Sequence, residues 1–127
     1  MPHLTIEHSA NLGAKTDIGS LCDALHAAIL GTGLFELGAI RVRAIACAQV
    51  AIADRLAENA FADLQFRIGT GRSTEEKSRA GEAIFAAASA FLAPLFETPH
   101  FALSLEIREI DAGLSWKRNA IHPRLRG

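Results

Sequence analysis

Cysteine is scarce in this chain. Cys22 and Cys47 lie far apart, with no CxxC pair and no disulfide-rich pattern, which fits a reducing compartment. An excess of one charge is also missing. Thirteen Lys and Arg stand against 14 Asp and Glu, for a net charge of −1, so no overall basic field points to a nucleic-acid partner. No apolar run reaches the ~18 residues of a membrane span. No signal-like segment precedes the first strand-like run, so the expected location is the cytoplasm, without membrane attachment. The five histidines show no metal-ligand spacing. His3 and His8 fall on opposite faces of a strand, His26 lies on a helix, and His100 and His122 are isolated. No metal is expected, and GxSxG, P-loop and HExxH motifs are absent.

What remains is an ordinary globular composition, half apolar and one fifth charged, in 127 residues, enough for one domain with a real core. Residues 2–8 alternate: Leu4, Ile6 and His8 face one way, His3, Thr5 and Glu7 the other, which predicts a half-buried strand. From Asp17 the spacing becomes helical through Ile18, Leu21, Cys22, Leu25 and Ile29, until "GTG" at 31–33 stops it. Residues 39–48 alternate again, with Ile40, Val42 and Ala44 opposite Arg41, Arg43 and Ile45. After a weakly patterned connector at 49–57, "ENAFADLQFRI" sets Ala60, Ala62, Leu64, Phe66 and Ile68 on one face. Ser73 and Glu76 spell a capping box. The helix it opens carries Ile84, Phe85, Ala88, Phe91 and Leu92 on one stripe and ends near Pro94 and Pro99. Residues 101–110 form a fourth strand, and the remainder has no clear period.

The order is β-α-β twice, over 2–48 and 58–111, with the second helix start at Ser73 answering a first at Thr16. This predicts an α+β (α/β) architecture: one domain over 1–127, in which each unit pairs two parallel strands and both helices cover one face of a four-stranded sheet. The opposite face carries Ala102, Ser104, Ile45 and Cys47 and is expected to pack against the sheets of other subunits.

Single motifs carry little chemistry. "GTGRS" before a helix start converges N–H groups and suits an anion, or is simply a turn. Arg41 and Arg43 share a strand face, to pair with glutamates or to clamp a carboxylate. Glu7, Glu106 and Glu109 are candidate acid–base carboxylates or solvated ones. The basic tail "WKRNAIHPRLRG" reads as a solvated terminus or a subunit contact. Pro2 sits where a strand tolerates proline; with Met1 removed it would also carry a free secondary amine on a rigid ring.

Together these features resemble the tautomerase superfamily: Pro2, a strand, a helix, a strand with Arg41, then "GTGRSTEEK" opening a second equal unit. The two-unit length is similar to the 5-carboxymethyl-2-hydroxymuconate isomerases, through "PHLTIEHSANL", "TGLFELGAIRVR", "IGTGRS", "AGEAIF" and "LSLEIREID", in order along nearly the whole chain. The 45–60 segment and the last residues match less well. The resemblance implies a cofactor-independent isomerase and a homotrimer with sites near subunit boundaries. It also implies a dicarboxylate or tricarboxylate substrate from the catabolism of 4-hydroxyphenylacetate and homoprotocatechuate. By position, Pro2 takes the place of the base, Arg41 and Arg72 those of substrate binding, and Arg43 follows less securely. Two other readings stay open: a tautomerase of another enol or keto acid, and a non-catalytic trimer that binds a carboxylate.

Overall fold

The computed structural model describes residues Met1–Gly127. Four strands, β1 (His3–Ser9), β2 (Arg41–Cys47), β3 (Ala60–Gly69) and β4 (Phe101–Ile110), form one sheet in the order β2-β1-β3-β4. β1 and β2 are parallel, β3 and β4 are parallel, and an antiparallel β1–β3 pair joins the two halves. The alternation read from the sequence is the cause. Leu4 and Ile6 of β1, and Ala60, Ala62, Leu64, Phe66 and Ile68 of β3, are all buried on one side.

Two helices, α1 (Ile18–Gly31) and α2 (Thr74–Phe91), cover that side and pack against each other. Leu21, Leu25 and Ile29 of α1 recur every fourth residue and are fully buried, as are Ala80, Ile84 and Ala88 of α2. The small residues of α2 let the two helices approach closely. The cap of α1 is Asp17 rather than Thr16: its carboxylate accepts from the Ser20 N–H at 3.0 Å. The capping box of α2 is complete, with both Ser73–Glu76 bonds made at 3.0–3.1 Å. The stripe of α2 is narrower than its apolar residues suggest. Phe85 points partly outward at 41 % exposure, because the buried row runs through Ala80, Ile84, Ala88 and Leu92.

The C-terminal stretch differs from its sequence reading. It holds a third helix, α3 (Ile121–Arg126), and packs on its own chain. The Asn119 side chain accepts from the Ile121 and His122 N–H groups and donates to the Gly38 carbonyl. Arg126 grips both Glu36 carboxylate oxygens, at 2.7 and 2.8 Å. His122 Nδ1 lies against the same carboxylate and has no other partner. Gly38 leaves room for this docking, since a Cβ there would come within 2.7 Å of His122 Nδ1. Six residues with two apolar side chains give too short a period to read, so these distant bonds create the helix.

The outer sheet face carries His3, Thr5 and Glu7 beside Arg41, Arg43 and Ile45, and its side chains bond laterally along the sheet. It is uncovered within one chain. No helix is long and apolar enough to cross a membrane.

Candidate active site

Pro2 precedes β1, which is central in the sheet, and topology crowds its neighbourhood. β2 runs parallel to β1, so β2 also begins there, at Arg41. β3 runs antiparallel, so it ends there, at Gly69, and β4 ends beside it at Ile110. Four distant pieces of sequence therefore meet: the N-terminus, the start of β2, the "GTGRS" loop, and the tail after β4.

Strand pairing fixes Arg41. Its N–H donates to the Pro2 carbonyl at 3.1 Å, while its guanidinium donates to the Ala39 carbonyl at 2.9 Å and touches Met1 Sδ at 3.0 Å. Arg72 follows Gly71, whose φ of +108° only glycine adopts without strain. This turn sends the Arg72 side chain back across the end of the sheet. Its Nη2 donates to the Leu34 carbonyl at 3.0 Å, and its guanidinium lies 4.3 Å over the Phe35 ring. Phe35 packs edge-on against buried Phe66, at 5.5 Å between centroids, so the ring under Arg72 is held by the core. Neither Arg41 nor Arg72 has a carboxylate within ion-pair distance. Both retain donors for an anion.

Two cavities open at this place. One, of about 420 Å³, is lined by Met1, Pro2, Phe35, Arg72 and Lys117 among others. The larger, about 700 Å³, is lined by His3, Arg41, Arg67, Trp116, Lys117 and Arg118, with no carboxylate anywhere on its wall. The local field shows in the titrations. The α-amino group of Met1 is held below its ordinary value, first by burial and then by the charges of Lys117, Arg72 and Arg41. Burial, with Arg67, Arg43 and Arg41, pushes His3 down to about 4.

Arg43 is placed apart. It lies two residues along β2, 3.2 Å from His3 Nδ1, and lines a separate hollow of about 290 Å³ with Arg67 and Arg108. Arg41 and Arg43 thus share a face but not a cavity. The three glutamates do not meet either. Glu106 pairs with Arg108 on the outer face, Glu109 pairs with Lys77 of α2, and Glu7 lies further along β1. No group of three or more His, Cys, Asp or Glu could hold a metal ion.

A buried proline thus stands at the head of a central strand, near two arginines without a carboxylate partner. The family model for 5-carboxymethyl-2-hydroxymuconate isomerase fits residues 2–125. The chain belongs to that family. It is 34% identical over 122 residues to the 5-carboxymethyl-2-hydroxymuconate Delta-isomerase of Escherichia coli, covering 96% of this chain and 97% of that one. The crystal structure of a 5-carboxymethyl-2-hydroxymuconate isomerase from Deinococcus radiodurans is 38% identical, covers 99% of this chain and 95% of its own, and superposes with a TM-score of 0.92. A fused 4-OT protein, 16% identical, covers 91% of this chain and 93% of its own at a TM-score of 0.67, and so shares the fold. The four-stranded sheet with its helices on one face is the fold of these relatives.

Sequence reasoning did not reach Phe35, Arg67, Trp116 or Lys117. Phe35 lies in the matching stretch "TGLFELGAIRVR", but only the fold sets its ring beneath Arg72. Trp116 and Lys117 belong to the tail without a period, whose basic residues were the one available signal.

Proposed function

We propose that the protein isomerises an unsaturated 2-hydroxy polycarboxylic acid to its 2-oxo tautomer, with 5-carboxymethyl-2-hydroxymuconate, named in its family, as substrate. The observation that carries this reading is the pairing of buried Pro2 with two arginines that have no carboxylate of their own. In the chain as it stands the Pro2 nitrogen is an amide, so the reaction requires removal of Met1. The freed secondary amine then belongs to a buried residue, with Arg72 on the same cavity wall and Arg41 bonded to its carbonyl, and burial and neighbouring cations both disfavour an ammonium. The neutral amine takes the proton of the 2-hydroxyl. The C–O bond becomes a carbonyl, the conjugated double bonds shift along the chain, and the ammonium returns the proton to carbon. One proton leaves oxygen and one arrives at carbon, with no net oxidation, so no cofactor is required. Arg41 and Arg72 bind carboxylates of the acid and stabilise the dienolate between the two steps. A base whose pKa lies near the working pH is most effective.

We also infer a homotrimer, one domain per chain with tandem units over 2–48 and 58–111, acting in aromatic-compound catabolism in the cytoplasm. The uncovered outer face supports association, and the fused 4-OT relative of the same fold was solved as a symmetric trimer. Both cysteines are free, as a reducing compartment allows.

The test is turnover of a single preparation before and after removal of Met1, with mass spectrometry confirming each terminus. Turnover should be nearly absent before removal and appear after it, then fall as pH drops through the amine's pKa. Equal turnover in the two forms would rule out Pro2 as the base.

A further inference from the structure

The two cavities at the site share only Met1 and Lys117. Removal of Met1 leaves Lys117 as the single residue common to both walls. We propose that Lys117 is a third substrate-binding cation, one that takes the carboxymethyl carboxylate and so selects a tricarboxylic acid over a dicarboxylic one. This rests on the isomerase reading for its substrate class.

Four observations support the assignment. First, Lys117 has no ion-pair partner and no side-chain hydrogen bond to a carboxylate within the chain, so its charge is uncommitted. Second, its place is set by anchors on the following residues rather than by the side chain itself. Asn119 ties the strap to Gly38, and the two-pronged Arg126–Glu36 pair ties its end, while residues 115–118 line the larger cavity. Third, Lys117 lines the smaller cavity together with Pro2 and Arg72 and the larger one together with Arg41, and its charge acts with theirs on the Met1 amine. Fourth, of the further cations on these walls, Arg67, Arg118, Arg126 and Lys117, Lys117 alone lines both cavities. The two arginines suffice for a muconate-type diacid, and the carboxymethyl branch adds a third carboxylate. A lysine suits that branch: its ammonium is a compact point charge on a flexible stem and needs no planar, bidentate geometry.

Trp116, the only tryptophan, neighbours Lys117, is 86 % exposed and lines the larger cavity, so its fluorescence reports occupancy without any turnover. The methionine-free protein is titrated with two unreactive acids, pentane-1,2,5-tricarboxylate and hexanedioate, which are the saturated skeletons with and without the branch. Wild type should prefer the triacid. Lys117→Met should lower that preference roughly tenfold, the scale of a hydrogen bond to a charged group, and Lys117→Arg should retain most of it. The same ratio should shift in KM for 5-carboxymethyl-2-hydroxymuconate against 2-hydroxymuconate, with kcat less affected. A preference that is equal in wild type and Lys117→Met, or absent from wild type, overturns the proposal. A Lys117-dependent preference in a protein that does not turn over the dienol would keep Lys117 and discard the isomerase reading. Turnover with an unshifted ratio would do the reverse.

Discussion

Arg72 and His3 show how differently the same cationic surroundings act on two residues. Arg72 is held by a carbonyl and an aromatic ring, so its charge is oriented but not neutralised. His3 is partly buried and has gained cationic neighbours, and its protonated form is disfavoured down to about 4. The sign of the pH effect follows from proton binding. Between about 6.5 and about 4 the unfolded chain takes up a proton at His3 that the folded chain refuses, so folding stability falls as pH falls through that window. His3→Gln should flatten this slope. The check is the urea midpoint of both proteins at steps from pH 7 to pH 4, compared as a difference, with protomer concentration fixed. The carboxylates held below their ordinary values, including Glu36 and Asp54, lose their contribution mainly below 4.5 and affect both proteins alike. Parallel midpoints across the window would mean that His3 titrates normally. The effect should be modest, because His3 is only partly buried and solvent screens its neighbours.

Among the elements, α2 depends most visibly on one local device. Its first turn begins immediately after Arg72, and Ser73 both caps the helix and fixes the direction of the arginine's loop. Ser73→Ala should remove the bond to the Glu76 N–H and cost about 1 kcal/mol in chemical denaturation, while Ser73→Asp should restore most of it. Weaker binding of hexanedioate should accompany the loss in Ser73→Ala, because the loop that carries Arg72 loosens. A variant with unchanged stability would mean that water or another side chain satisfies the exposed N–H groups. The C-terminal strap has the opposite origin. Nothing local specifies it, and it is held through Glu36 and Gly38, far away in sequence. Arg126→Ala should leave the core intact, since Arg126 is exposed, yet raise KM for 5-carboxymethyl-2-hydroxymuconate by freeing the segment that carries Lys117. An unchanged KM would detach the strap from binding.

At the scale of the whole molecule, one face of the sheet supports the helices and the core, and the other is left bare. Ile45 is 49 % exposed there, amid a lateral hydrogen bond from Ser104 to Asp63 and a close contact of Arg43 with His3. A sheet with one apolar face needs only one covering layer, so this bare face is free to associate. Sedimentation equilibrium at micromolar protein should give a trimer mass, with interfaces on the order of 2,000 Å² each, the range of obligate assemblies. A monomer mass would remove the trimer from the reading and leave the site to be built by one chain.

The sequence by itself determined the parts. Period-two and helical spacing assigned four strands and two long helices, because backbone geometry alternates side chains across a strand and stacks every fourth residue on a helix. Leu4, Ile6, Leu64, Phe66, Leu21 and Ile84 could be placed in the core for that reason. The capping box was equally local, and the motifs around Pro2, Arg41 and Arg72 pointed to the candidate site. Only the tertiary structure decided which of these meet. The antiparallel β1–β3 junction brings the end of β3 to the start of β1 and sets Arg72 beside Pro2. The strand register separates Arg41 from Arg43 although both face the same way. Phe35, Trp116 and Lys117 entered the site through contacts spanning most of the chain, as between Glu36 and Arg126, 90 residues apart. Such contacts leave no period, because they depend on where the chain returns in space rather than on how neighbouring residues are arranged.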